Sequence, residues 1–480
     1  MRSRRRVASI AMASSLILVA AACGSDDNKS SDTTAASATT AAGGATTAAG
    51  AATTAAPSGT GAGDSLLDGA IQCKQQYAGK TVSLLTPVRN STNDPNAIQI
   101  FTDFWKPLAD CTGVKIDLQG TDQFEVQSKV LLQGGSPPDV LDFPQPGLLR
   151  TLSSDLITFP ENVAKHNGTD FIPGWEKLYT IDNAIKAIPW RANVKSMVWY
   201  SPKAFAEKGY KVPETLDEMK ALSDQIVKDG GTPWCAGIES GVATGWPITD
   251  WFEDFMMRIN GPDVYDQWVQ HKIPFNDPKV KAVADAVGGI VKNPDYIGGE
   301  TAVKAEATTK FQDGGLPILQ GNCYMHKQAS FYSTIWPKGT TIGPDGQVNT
   351  FYFPVKSGDP KYMLGGGDLI GAGTDKPETF AVLTYTNSAD YQTAIVKGGE
   401  ISLSTRKDFD TANFSDPVIR NFADMLKNSD IFRFDGADMM PAAIGSGAFW
   451  KEATAWIAGS DSTDDMLNNI EAAWKALPPS

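Results

Sequence analysis

Between Thr81 and Phe143 the chain reads strand, helix, strand, helix, strand, and few folds accept that order. Thr81-Val-Ser-Leu-Leu-Thr86 has the β-branched and apolar run of a buried strand, and Val114, Ile116 and Leu118 alternate as a second. Asp139 to Phe143 reads as a third. Between the first two strands, Asp94-Pro95 supplies an N-cap and first-turn pair, and Ile98, Phe101, Trp105 and Leu108 recur at helical spacing. Phe124 to Gln133 reads as the next helix, stopped by Gly134-Gly135-Ser136-Pro137-Pro138. Strand, helix, strand, helix, strand implies a parallel sheet with right-handed crossovers.

The same alternation resumes after Trp190. Ser201-Pro202, Asp277-Pro278 and Asp416-Pro417 open helices, and Thr215 to Glu218 forms a capping box ahead of Met219, Leu222 and Ile226. No short internal repeat is present. The stretch from Ser65 to Ser480 is too long for one small domain and suits two α/β lobes.

What precedes Ser65 does not look like fold. Met1-Arg2-Ser3-Arg4-Arg5-Arg6 is followed by an uncharged run to Ala22, the layout of a secretory signal over residues 1–22 and too short for a membrane span of roughly 20 apolar residues. A cysteine, Cys23, stands directly after the small residues, and this arrangement resembles bacterial lipoprotein signals, although Ala20 occupies the position where those usually carry Leu. The resemblance implies cleavage before Cys23 and lipidation of its sulfur. Residues 23–64 are then a tether of Ala, Thr, Gly and Ser without large apolar residues, which cannot bury enough surface to fold and spans roughly 35 Å as a flexible coil. The expected location is the outer face of a membrane, held by lipid.

The net charge is −13, and loss of the four signal arginines makes the remainder more acidic. That balance disfavours nucleic acid and anionic membrane surfaces as partners. With Cys23 assigned to lipid, Cys73, Cys111, Cys235 and Cys323 remain, an even number for an oxidising compartment. Three pairings are possible; Cys73–Cys111 and Cys235–Cys323 are favoured because each joins segments expected in one lobe. No two cysteines have zinc-ligand spacing and the histidines His166, His271 and His326 are scattered, so no metal and no cofactor is expected.

Ligands of open parallel sheets sit beyond the carboxyl ends of the strands. The loops there carry Arg89-Asn90, Gly120 to Glu125, and Pro144 to Gly147, making Asp122, Gln123, Glu125 and Gln145 candidate partners for hydroxyl groups; for any one of them a solvated loop side chain is an equal reading. Of the 12 tryptophans, Trp190, Trp246, Trp251, Trp336 and Trp450 stand beside Gly, Pro, Asp or Phe in expected loops. Aromatic faces next to carboxylates, amides and guanidiniums suit sugars, whose C–H faces pack on rings while their hydroxyls need donors and acceptors. A single tryptophan is more often core, and Trp199 and Trp456 read as structural. Gly365-Gly366-Gly367-Asp368 allows close backbone approach and a carboxylate acceptor, but lacks the Lys and Ser/Thr of a phosphate loop.

These segments together resemble the sugar-binding lipoproteins of bacterial ABC importers, the family 1 extracellular solute-binding proteins, and their alpha-glucoside-binding branch. The resemblance runs from Gly79 to Pro479. It rests on Gly-Gly-Ser-Pro-Pro-Asp139, Phe143-Pro-Gln-Pro-Gly-Leu-Leu149, Ile188-Pro-Trp-Arg-Ala-Asn-Val-Lys-Ser-Met-Val-Trp-Tyr200, Trp234-Cys-Ala-Gly-Ile238, Gly245-Trp-Pro-Ile-Thr-Asp250, Gly321-Asn-Cys-Tyr-Met-His-Lys-Gln-Ala-Ser-Phe331 and the Gly365 to Asp368 run. It implies an α/β, two-lobed periplasmic-binding-protein fold of the maltose-binding-protein kind, with the ligand cleft between lobes. One lobe would comprise 65–190 plus 331–397 and the other 191–330 plus 398–480, the chain crossing near Trp190, Lys327 and Gly398. It further implies Trp190, Trp246 and Trp336 as stacking platforms, and Asp122, Gln145, Arg191, Asp250, Gln328 and Asp368 as hydroxyl partners. Gln123, Glu125, Asn193, Gly366 and Gly367 complete the candidate set. The cysteines of Trp-Cys-Ala-Gly and Gly-Asn-Cys-Tyr match a pair in similar proteins, which supports Cys235–Cys323.

The expected function is therefore capture of a carbohydrate, an alpha-glucoside di- or oligosaccharide, for delivery to the permease subunits of an ABC importer, without catalysis. Two other classes compete. A secreted glycoside hydrolase needs only two carboxylates flanking the bond, and a receptor for peptides or polyamines would use the same fold.

Overall fold

The computed structural model describes residues 65–67, 70–90, 95–164, 171, 175–397, 403–407, 410–414, 416–427 and 430–478. The signal, Cys23, the tether, Asp94 and Gly398 lie outside them. Among the described residues no helix is long and apolar enough to cross a membrane.

The parallel sheet is present. Strand β1 (Thr81–Thr86) pairs in parallel with β2 (Lys115–Gly120) and with β3 (Val140–Phe143). The helix expected between the first two strands is two helices, Ala97–Asp103 and Lys106–Thr112. Pro107 explains the break: it has no N–H to give and its ring crowds the carbonyl one turn back. Phe101, Trp105 and Leu108 nevertheless stay buried on one face.

The chain then runs up β4 (Ala187–Val194), passes into β5 (Met197–Tyr200), and returns by β6 (Met325–Lys327) and β7 (Asn349–Tyr352), which flank β5 in an antiparallel three-stranded sheet. Strand β8 (Tyr362–Ala372) is the spine of the molecule. Its first residues pair with β9 (Ile431–Phe434), its last with β3, and β4 lies along its other edge.

The second half is mostly helical. Pro202–Lys208, Leu216–Lys228, Pro278–Val291 and Pro417–Lys427 all start where their Ser-Pro, capping-box and Asp-Pro signals stand, and Thr215 and Glu218 make both bonds of the box. Three apolar clusters fill the interior. One surrounds Leu84, Trp105 and Trp190 beside the parallel sheet, one surrounds Phe252, Trp268 and Trp456 in the helical half, and one runs between them through Leu141, Trp199 and Phe422.

Beyond Phe331, where the sequence suggests a return to the first lobe, the chain stays with the helical half for a further stretch. Strand β7 pairs with β5, and Phe351, Phe353 and Tyr362 join the helical half's cluster, with Phe353 edge-on to Trp251 and Phe255. Alternate aromatic positions on this strand bury against the helices, so the chain returns to the parallel sheet only along β8. Both favoured disulfides, Cys73–Cys111 and Cys235–Cys323, are formed.

Candidate ligand-binding site

A strand exposes every second residue to one face, and β4 uses that period to build one wall of a cavity of about 290 Å³ with Arg191 and Asn193, continued by Lys195 just beyond the strand. The intervening Val194 is core, and Ala192 is buried in the same cluster while touching the cavity edge. A register shift against β8 passes over Trp190, so that Arg191 stands opposite Asp368 while Pro189 stands opposite Leu369. Such a bulge re-aims side chains, and here it points Arg191 and Asp368 at each other beside the cavity.

The opposite walls combine rings and polar groups. Trp246 packs edge-on to Phe311 with centroids 5.1 Å apart and lies 5.9 Å from Phe331; Phe101 and Trp450 add further aromatic surface. Arg89, Glu125 and Gln145 come from the ends of the parallel strands and the helix starts beyond them. Gln145 donates Nε2 to Glu125 Oε1 at 3.1 Å. Burial pushes the Glu125 carboxyl up, against the pull of Gln145 and Arg89.

Three buried polar atoms at this surface, Gln145 Oε1, Asn193 Oδ1 and Trp450 Nε1, have no hydrogen-bond partner among the described residues. Buried polar groups are ordinarily satisfied because an unmade bond leaves the desolvation cost uncompensated. Two acceptors and a donor around aromatic faces therefore define a surface built for a polar ligand.

Beneath it lies a dense charge cluster. Lys195 Nζ is 5.3 Å from the Trp246 ring centroid, 2.9 Å from Asp250 Oδ1, and bonded to Asp435. Carboxylate oxygens of Asp250, Glu253 and Asp435 lie within 4.8 Å of one another. The lysine ammonium already stands between Asp250 and Asp435 as their countercation. Burial raises Asp250 to about 7 and drives Glu253 and Asp438 well above the usual carboxylate range. Asp435 stays ionised, because Lys195 and the Asp438 N–H outweigh its burial. Asp142, below Arg191, is likewise raised by burial and by Asp368.

Of the residues expected at a site, Glu125, Gln145, Arg191, Asn193, Trp246, Gly367 and Asp368 come together on the cavity. The others do not line it. Trp190 is fully buried, donating its N–H to the Tyr391 hydroxyl at 2.8 Å, and Trp336 packs among Trp199 and Tyr332. Both look like loop residues in sequence but turn inward, because each sits where strand or turn backbone presents it to a core cluster. Asp250 is behind the wall, accepting from the wall residue Lys195, and Gln328 spends its Oε1 on the Ala329 N–H. Asp122 and Gln123 sit at the start of a helix, with the Asp122 carbonyl against Gly241. Gly366 does not reach the cavity; these glycines admit neighbours, since a Cβ on Gly365 would collide with the Phe432 ring and one on Gly367 with the Arg191 carbonyl.

The reading by sequence missed Lys195, Asp438, Phe101, Phe311 and Phe331. Lys195 was recoverable from the alternation Arg191, Asn193, Lys195. The phenylalanines come from separate segments and carry no local mark.

Residues 94–398 match the family described as bacterial extracellular solute-binding protein. The chain is 36% identical to the osmoprotective compounds-binding protein GgtB of Synechocystis sp. over 77% of this chain and 87% of that one. It is 33% identical to the alpha-glucosides-binding periplasmic protein AglE of Rhizobium meliloti over 83% and 88%. Among solved structures, a chitin oligosaccharide binding protein superposes with a TM-score of 0.69 at 17% identity, covering 82% of this chain and 98% of that one. A maltose-bound MalE3 of T. maritima gives 0.62 at 14% identity, covering 83% and 99%. The fold is thus that of the maltose-binding-like proteins, and the matched proteins bind solutes rather than transform them. With most of its length matched, this chain belongs to the bacterial extracellular solute-binding proteins, which act outside the cytoplasm.

Proposed function

We propose that the cavity captures an alpha-glucoside di- or oligosaccharide and that the loaded protein delivers it to the permease of an ABC importer. The observation that carries this reading is the combination of the Trp246, Phe311 and Phe331 rings with the unsatisfied atoms of Gln145, Asn193 and Trp450 around one cavity. Rings take the C–H faces of a sugar and the amides and indole take its hydroxyls. Arg191 and Asp368 add a charged pair able to bond a ring hydroxyl from both sides. The name of AglE supports the alpha-glucoside class.

The two lobes hinge along the paired strands β4 and β8, which connect the parallel sheet to the helical half. Lipidation at Cys23 holds the domain at the membrane. Isothermal calorimetry of the purified protein against maltose, trehalose, sucrose and maltooligosaccharides tests the ligand. Absence of heat with all of them rejects the sugar reading. Mass spectrometry of the mature N-terminus tests the anchor, and an unmodified Cys23 rejects it.

A further inference from the structure

We propose that the floor of the cleft is a proton-exchanging element, in which Glu253 shares a bound proton with Asp435 and Asp250, and that ligand capture takes up proton through it. This rests on the sugar-binding reading for its ligand, but not for the proton.

The geometry has more carboxyls than countercharges. From the helix Trp246–Asn260 come Asp250 and Glu253, and from the turn after β9 come Asp435 and Asp438, all of them buried. Among the described residues the cation facing them is Lys195, the residue after β4. Lys327, from β6, gives its ammonium to Asp254 at 2.9 Å and to the Asp250 carbonyl, and Arg258 is bound to Asp254 and to the Pro354 and Phe353 carbonyls. From β8, Asp368 is taken by Arg191. From the helix Pro262–Val269, Tyr265 gives its hydroxyl to the Phe434 carbonyl, so it neither donates to the cluster nor titrates near neutrality.

Glu253 makes the case. It is fully buried, its Oε1 accepts the Ala437 N–H at 3.0 Å, and its Oε2 meets no donor among the described residues. Its acidic neighbours, Asp250 and Asp435, instead approach within 4.8 Å. Acceptor facing acceptor in a dry interior is relieved by a proton between them, since like charges so close cannot all ionise. The element is coupled to the ligand because Lys195 and Asp438 belong both to the cluster and to the cavity wall.

A sugar that fills the cavity replaces the water in contact with Lys195 and Asp438. The surplus negative charge then loses solvation, and the shared proton is held more tightly in the bound state than in the free one. The sign follows: binding is strongest below the free-state pKa and weakens as pH rises through the bound-state pKa. Each proton taken up changes Kd by up to about tenfold per pH unit.

Two measurements on the purified protein test this. The first is the infrared carboxylic-acid carbonyl band at pH 7, to which Asp142 and Asp438 also contribute; it is expected in the wild type and should fall by the share of one carboxyl in Glu253→Gln. The second is calorimetry with maltose and with trehalose, from pH 5 to pH 8 and in buffers of different ionisation enthalpy. Proton uptake on binding and a Kd that rises with pH are expected. In Glu253→Gln, a side chain that lies behind the sugar surface, Kd at low pH should stay within about threefold of wild type while the pH slope shrinks. Binding with no proton exchanged at any pH overturns the coupling and leaves the sugar reading intact. No binding of either sugar overturns the ligand reading, and the infrared band then decides the proton. A band that Glu253→Gln leaves unchanged overturns the inference, as does the absence of any band in the wild type where that variant fails to fold.

Discussion

Replacing Trp190 by Phe should destabilise the protein and leave sugar binding nearly intact, the reverse of what its motif suggests. The indole is fully buried, 5.7 Å from the Phe101 ring and 5.8 Å from Trp105, and its N–H donates to the Tyr391 hydroxyl. Losing the larger ring's buried surface and leaving a void costs ~1–2 kcal/mol. Tyr391 is itself buried and loses its partner, which adds ~1–2 kcal/mol. The sum, ~2–4 kcal/mol, should appear in urea unfolding as a lower midpoint with an unchanged slope. The matched control is Trp246→Ala at the cavity wall, which should weaken sugar binding about tenfold or more and move the midpoint less. An unchanged midpoint for Trp190→Phe together with a tenfold loss of affinity would refute this reasoning, because it would put the indole in contact with ligand.

His326 is buried, with Nδ1 at 2.9 Å from the Cys235 carbonyl, and burial lowers it to about 4. Its neutral form therefore contributes stability that is complete above about pH 6.5 and is lost as pH falls toward 4, by roughly 3 kcal/mol; His326→Asn should flatten the wild-type fall in melting temperature over that window. Asp139 accepts bonds from the Ser83 N–H, the Thr374 hydroxyl and Lys376, which hold its carboxyl below the usual range against burial. Asp139→Asn should cost about 1–2 kcal/mol at pH 7, and the two unfolding curves should converge as acid protonates the wild-type carboxylate, below about pH 4. The Cys235–Cys323 bridge closes 88 residues; chain entropy puts its loss at up to about 4–5 kcal/mol, to be read as the drop in urea midpoint of the Cys235→Ala, Cys323→Ala double variant.

Some of this site is legible in the amino-acid sequence. Gln145 and Glu125 stand at strand ends, where the parallel topology places ligands, and Arg191 and Asn193 share a strand face. Trp190 and Trp336 mislead for one reason. A tryptophan beside proline or glycine looks exposed by context, yet the direction of its ring is set by the element that receives it. The same limit hides Lys195, whose partners Asp250 and Asp435 are 55 and 240 residues away.

The local signals of this chain determined its local structure. Period-two and helical spacing, Ser-Pro and Asp-Pro starts and a capping box act over a few residues, and they locate β1 to β3 and the four helices Pro202–Lys208, Leu216–Lys228, Pro278–Val291 and Pro417–Lys427. The tertiary structure decided what long β8 joins, that Trp190 is core, that residues 349–362 pack with the helices, and that four acids gather around one lysine. Burial and charge pairing depend on which distant segments meet, and no short window of sequence contains that information.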